Sequence, residues 1–254
     1  MGNLKNKKAL ITGAGQGIGQ AIALSLAGAG CDVAIHYRSN RELAQANADA
    51  AKAKGVRANI FQADLTNEKS AVAMVADAAK FLGGIDILVN NAGDLLKRKR
   101  LNEIDLEFWS KIYDVNMTSM MLVTRESLPY LEKNTGGASV VNMSSLAGRK
   151  GGHPGSLAYS TCKGAVITWT RALSNELAPK GIRVNSIAPG LILGTSFHNT
   201  HTTKESADAT IATLPLGRAG TTDDIARVVT FLASEYDGFI SGATIDINGG
   251  IYCA

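Results

Sequence analysis

The feature that most constrains this chain is an alternation. Short apolar runs at residues 9–12, 32–37, 57–62, 85–90, 139–143, 183–187 and 244–247 are separated by longer stretches with helical patterning. Some runs carry apolar residues in succession, as at Val140 and Val141. Such continuity marks strands buried on both faces, as in a parallel sheet covered by helices. The helical stretches are 17–29, 41–54, 68–82, a long one within 106–133, 157–178 and 222–234. Ile18, Ile22 and Leu26 recur every fourth residue and share one helix face. Asn67 or Thr66 suits the cap of the third helix, and Thr222 that of the last. Strand and helix in repetition build right-handed crossovers. The expected class is α/β, a doubly wound parallel seven-stranded sheet with helices on both faces. No linker, repeat or composition break divides the 254 residues, so a single domain over 1–254 is expected. Residues 194–217 alone resist assignment and read as a long loop or lid, a kind of segment that is often functional.

Glycine sharpens the picture. The chain has 27 glycines and only 5 prolines, which argues for many tight turns and against a collagen-like or linker sequence. Gly55, Gly83 and Gly181 read as helix stops. The cysteines, Cys31, Cys162 and Cys253, lie far apart with no C-x-x-C pair. Neither a zinc site nor a redox dithiol is expected, and a reducing cytoplasm is the default. The start, Met1-Gly2-Asn3-Leu4-Lys5-Asn6, has no apolar signal core and lacks the Ser or Thr of a myristoylation site. No uncharged apolar run reaches the ~18 residues of a membrane helix. A net charge of +4 suits an anionic ligand but is too small to argue for nucleic acid. A cytoplasmic protein with no metal, membrane or nucleic-acid partner is expected.

After the first strand comes Thr12-Gly13-Ala14-Gly15-Gln16-Gly17-Ile18-Gly19. Glycines there permit a tight turn, close approach of backbone to a pyrophosphate, and packing of helix on strand. The following helix start directs free N–H groups at the anion. The spacing G-x-x-x-G-x-G alone is also compatible with an ordinary glycine-rich turn. Further motifs follow in order: Asp64, Asn90-Asn91-Ala92-Gly93, Asn116, Ser145, Tyr159-x-x-x-Lys163 and Pro189-Gly190. Over nearly its whole length the chain resembles the short-chain dehydrogenase/reductase family, with its Rossmann fold. Within it, the chain looks like 3-oxoacyl-carrier-protein reductases and sugar or polyol dehydrogenases.

In dinucleotide folds an acid ending the second strand binds the ribose of NAD, whereas a basic residue accommodates the extra phosphate of NADP. Here the strand ends Tyr37-Arg38-Ser39, with no acid. Tyr37 stands where NAD-dependent relatives carry Asp. An Arg fork and a Ser hydroxyl suit a phosphate, so NADP(H) is favoured and NAD(H) remains open; Arg38 also reads as an ordinary surface residue. The resemblance further implies cofactor contacts at Gly13, Gln16, Gly17, Ile18 and Gly19, and at Asp64 and Leu65 beside the adenine. It implies that Asn91 stabilises the central strands while Asn90, Ala92 and Gly93 border the cofactor. It places Pro189, Gly190, Ile192 and Thr195 at the nicotinamide carboxamide.

Tyr159 and Lys163 are four apart in a helical pattern and project from one face. A free phenol, with a pKa near ~10, is a poor base at neutral pH, and positive charge nearby favours the phenolate. By resemblance, Tyr159 is the general acid/base, Lys163 tunes it and holds the nicotinamide ribose, and Ser145 orients the substrate oxygen. Ser144 competes with Ser145, because successive residues face opposite ways; the S-x-x-G pattern ending at Gly148 selects Ser145. Asn116 is implied to kink its helix and hold a water linked to Lys163. The interval from Ser145 to Tyr159 is one residue longer than usual, which suggests an insertion near Gly151-Gly152 and Gly155. His153, His198 and His201 fall in expected active-site loops, with His153 a candidate substrate contact. Cys162 reads as a small buried filler. The run Lys97-Arg98-Lys99-Arg100 could steer an anion or be a solvated loop. The expected activity is hydride transfer between NADP(H) and a small-molecule carbonyl or secondary alcohol, in a homotetramer by resemblance. The alternative is a dinucleotide-sensing binding protein of the same fold without turnover.

Overall fold

The computed structural model describes residues 3–134, 136–234 and 238–254. Met1 and Gly2, which begin the segment read above for targeting, lie outside the described residues. The first half runs β1 (Lys8–Ile11), α1 (Gly17–Gly28), β2 (Asp32–Tyr37), α2 (Arg41–Lys52), β3 (Ala58–Gln62), α3 (Glu68–Leu82) and β4 (Ile87–Asn90). The second runs α4 (Leu106–Tyr113), α5 (Ser119–Leu131), β5 (Ala138–Met143), α6 (Leu146–Lys150), α7 (Leu157–Leu177), β6 (Ile182–Pro189), α8 (Ser196–His201), α9 (Lys204–Thr213), α10 (Thr222–Ala233) and β7 (Thr244–Ile247).

The sheet has seven strands in the order β3-β2-β1-β4-β5-β6-β7, all parallel. Strand side chains alternate between two cores. Ala9 and Ile11 join Ile22 and Leu26 of α1 and Val229 and Leu232 of α10 on one face. Leu10 points the other way, into the layer of Met74 and Val75 on α3, Val123 on α5 and Leu173 on α7. Ile87 and Val89 repeat the first choice and Leu88 the second. That period-two division explains why these strands need apolar residues at successive positions. The chain reverses its direction of winding between β1 and β4. A crevice opens there at the carboxyl ends of the strands, and the motifs converge on it.

Three expectations are corrected. Thr221, not Thr222, caps α10: its hydroxyl accepts from the Asp224 N–H while the Asp224 carboxylate accepts from the Thr221 N–H. Thr222 is already helical. The long helix within 106–133 is two helices joined by a π-helical turn, Asp114–Thr118. The stretch 194–217 is not a bare loop but carries α8 and α9, capped by Thr195 and Thr203. Both helices are short and polar, so neither shows the apolar stripe that reveals a helix in sequence. Asn67, rather than Thr66, caps α3.

Candidate active site

The glycine-rich turn lies between β1 and α1 and lines a cleft of ≈ 450 Å³. Gly13 has φ +62°, which favours glycine. A Cβ at Gly19 would lie 2.6 Å from Asn91 Nδ2, so only glycine lets α1 rest on the turn. Asn91 donates to the carbonyls of Thr12 and Gly13 at 2.9 and 3.0 Å, and the Thr12 hydroxyl accepts from the Asn91 and Ala92 N–H groups. These bonds lock the ends of β1 and β4 together. Gln16, Gly17 and Ile18 line the cleft beside it. The turn thus presents a backbone cradle at a helix start, which fits a pyrophosphate.

His36 was not anticipated. It is 2% exposed, and its Nδ1 accepts from the Gly13 N–H at 2.9 Å while Nε2 faces the Ala63 carbonyl at 3.2 Å. Those partners define a neutral ring with its proton on Nε2. Burial holds its pKa down to about 4. The available signal was a polar ring inside an otherwise apolar strand. The next residues, Tyr37, Arg38 and Ser39, line the same cleft, as do Asp64 and Leu65. The hydroxyl and N–H of Thr66 hold the Asp64 carboxyl below its usual range, with Arg38 a lesser influence. Asn90 departs from expectation. It is 2% exposed and donates to Thr124 Oγ1 and Asn142 Oδ1, both at 2.9 Å, so it ties β4 to β5 and α5 and does not border the cleft. Ala92 and Gly93 do line it.

At the other end of the cleft, α7 brings Tyr159 and Lys163 one turn apart. The Lys163 Nζ lies 5.6 Å from the centre of the Tyr159 ring and donates to the Met143 carbonyl at 2.9 Å. Burial depresses the Lys163 pKa to about 8, with Cys162 and Asp94 opposing. Burial pushes the Tyr159 phenol well above its ordinary value, while a hydrogen bond with Ser145 pulls it down. The phenol is therefore raised, the reverse of the lowering expected from sequence: Asp94 and Cys162 add to the effect of burial, and only the Ser145 hydrogen bond opposes it. Ser145 reaches Tyr159, whereas the Ser144 hydroxyl is buried and donates to the Lys163 carbonyl at 2.7 Å. Gly148 helps set this choice: a Cβ there would lie 2.7 Å from the Gly164 nitrogen, so α6 can lie on α7 only with glycine.

Asn116 sits fully buried in the π-helical turn. Its amide donates to the carbonyls of Asp94 and Ile112 and accepts from the Asp94 N–H. A Cβ at Gly93 would stand 2.7 Å from Asn116 Oδ1 and 3.0 Å from Lys163 Nζ, so Gly93 keeps open the space between them. Pro189, at the end of β6, and Gly190, Ile192 and Thr195 just beyond it line the cleft. The Thr195 hydroxyl donates to the Ile192 carbonyl and accepts from the His198 N–H.

The helix α8 closes over this region. Gln16 Nε2 donates to Ser196 Oγ at 2.9 Å, and the Phe197 ring lies 5.7 Å from that of Tyr159. His198 and His201 line the cleft; His153, a candidate contact by sequence, is exposed and does not. The basic run and the glycine cluster, both unexplained in sequence, meet here. Arg98 reaches the carbonyls of Pro154 and His201, and Lys99 N–H donates to the Gly155 carbonyl. Gly155 has φ +81°, and a Cβ on it would lie 2.9 Å from Arg98 Cβ. The extra length between Ser145 and Tyr159 is thus pinned by the basic run.

The glycine-rich turn and the Ser145, Tyr159 and Lys163 side chains line one continuous cleft, an arrangement that fits a dinucleotide-dependent oxidoreductase. A family model described as enoyl-(acyl carrier protein) reductase matches residues 13–252. The chain is 37% identical over 250 residues to 3-oxoacyl-(acyl-carrier-protein) reductase FabG of Staphylococcus aureus, covering 97% of this chain and 98% of that one. A short-chain dehydrogenase from Burkholderia cenocepacia, solved in complex with NADP, superposes with TM-score 0.91 at 33% identity, covering 98% and 99% of the two chains. An NADH-dependent reductase responsible for alginate metabolism superposes with TM-score 0.90 at 30% identity, with 99% of each chain covered. The chain belongs to the short-chain dehydrogenase/reductase family, NAD(P)-dependent oxidoreductases acting on CH–OH groups. No helix among the described residues is long and apolar enough to cross a membrane.

Proposed function

We propose that residues 1–254 form one catalytic unit that reduces a small carbonyl compound with NADPH, through Ser145, Tyr159, Lys163 and Asn116. The observation that carries the reading is the convergence of Ser145 and Tyr159 over buried Lys163, in the same cleft as the glycine-rich turn. The turn and α1 fit a pyrophosphate, and Arg38 with Ser39, in the absence of an acid at the end of β2, fits the additional phosphate of NADP(H). NADPH, when bound, supplies the hydride.

The chain's own groups manage the substrate oxygen. Ser145 and Tyr159 hydrogen-bond it, and the Tyr159 O–H donates its proton as negative charge develops there. Lys163 does two things: its ammonium offsets the burial that disfavours phenolate, and its position beneath the cleft suits a ribose hydroxyl. Asn116 holds the Asp94 backbone and, across Gly93, faces Lys163, which suits a relay that returns the proton from solvent. Relatives named for acyl-carrier-protein substrates and for alginate metabolism leave a 3-oxoacyl thioester and a sugar-like carbonyl as the two substrate classes. A cytoplasmic homotetramer is the assembly and location the resemblance supports.

The test follows NADPH oxidation by its near-ultraviolet absorbance with a panel of ketones. Tyr159→Phe should abolish turnover and keep NADPH binding. Undiminished turnover in that variant would refute the mechanism; NADPH binding with no turnover of any carbonyl by the wild type would favour the dinucleotide sensor.

A further inference from the structure

The substrate end of the cleft has its own chemistry, set by groups that the hydride-transfer machinery does not use. Asp94 follows β4 and lines the cleft. Its Oδ1 lies 3.3 Å from His201 Nε2. Because an ionised carboxylate only accepts, His201 donates through Nε2, which leaves its Nδ1 as an acceptor. His201 is anchored from behind, since Arg98 donates to its carbonyl at 3.2 Å. One turn earlier, His198 Nδ1 pairs with Thr202 Oγ1 at 2.9 Å, which leaves Nε2 uncommitted. Phe197 lies between, with its ring 5.1 Å from His201 and 5.7 Å from Tyr159. The wall beside the reacting Tyr159 is therefore an aromatic face rimmed by a carboxylate and two imidazoles.

We propose that Asp94, His198 and His201, with the Phe197 ring, select a small carbonyl substrate bearing a hydroxyl beside the reacting carbon, and disfavour an aliphatic acyl chain. The inference rests on the carbonyl-reductase reading above and names its substrate class. A hydroxyl can donate to the carboxylate and accept from an imidazole, and its C–H face can lie on the Phe197 ring. An alkyl chain in the same place would leave the second Asp94 oxygen, His201 Nδ1 and His198 Nε2 without partners, and sites built for a hydroxyl strongly reject analogues that lack it.

Hydroxyacetone and butanone differ only by a hydroxyl in place of a methyl group and make a matched pair. The hydroxyl also activates the carbonyl, so the readout is the change in the ratio of kcat/KM values between wild type and variant, not the ratio itself. His201→Phe keeps the ring packing and the backbone carbonyl that Arg98 holds, and removes the nitrogens. Asp94→Asn keeps the backbone that Asn116 clamps. Each should lower the hydroxyacetone-to-butanone ratio about tenfold, the size of one lost hydrogen bond to a charged or polar partner. NADPH titration and thermal unfolding confirm that each variant is folded and loaded. A ratio unchanged in both folded variants overturns the inference, as does wild-type preference for an acetoacetyl thioester over hydroxyacetone. In either case, turnover that Tyr159→Phe abolishes leaves the carbonyl-reductase reading standing. Turnover of no carbonyl overturns both.

Discussion

Removing the two nitrogens of His36 tests whether one neutral ring anchors the cofactor turn. The ring accepts from the Gly13 N–H and faces the Ala63 carbonyl, so it ties the glycine-rich turn to β2 and the end of β3. His36→Phe keeps the ring volume and leaves both backbone groups without partners, at a cost of about 1–3 kcal/mol each when buried. The same contact predicts a pH dependence. Burial lowers the pKa from 6.5 to about 4. Between those values the unfolded chain binds a proton that the native ring refuses, so stability is full above the window and falls as pH drops through it. At 1.36 kcal/mol per unit, the whole window is worth ~3 kcal/mol. The portion lost between about pH 7 and about pH 5 is ~2 kcal/mol. Urea unfolding of wild type and His36→Phe at those two pH values gives the comparison. The variant should be less stable at neutral pH and should lack ~2 kcal/mol of the wild type's acid sensitivity. NADPH affinity, followed by fluorescence, should weaken by roughly tenfold, as the turn loses ~1.4 kcal/mol of preorganisation. Parallel pH dependences in the two proteins would refute the reasoning.

Two further substitutions test the ends of the cleft. Arg38→Asp should raise kcat/KM with NADH and lower it with NADPH by about tenfold or more, because a bidentate phosphate partner becomes a repulsive carboxylate; equal or better use of NADH by the wild type would sink the NADPH assignment. Gly93→Ala puts a methyl 2.7 Å from Asn116 Oδ1 and 3.0 Å from Lys163 Nζ. One of them must move, so kcat should fall on the order of a hundredfold, measured by steady-state turnover at saturating NADPH, and a wild-type kcat would show that this space has no part in the reaction.

Much of the architecture was legible because strands and helices write local periods into the chain. The runs at β2 and β7 and the helix at α3 match residue for residue, and the tyrosine–lysine pair is a property of helix geometry alone. The weaker signals failed where local pattern was absent. The six residues of α8 hold no apolar stripe, and Asn116 sits in a turn that looks like uninterrupted helix in sequence.

What the sequence determined, then, was the βα alternation, the glycine-rich turn at its first junction and the spacing of the reactive pair. Only the tertiary structure decided which groups face the cleft. Ser145 rather than Ser144 meets Tyr159 because Gly148 lets α6 settle on α7. Asn91, and not Asn90, borders the cleft because Asn90 is claimed by β5 and α5. His201 reaches Asp94, 107 positions earlier in the chain, and Gly155 accommodates Arg98. Each of these is a contact between elements distant in the chain. Local periodicity carries no record of such contacts, which arise only when the sheet assembles and brings its loops to one edge.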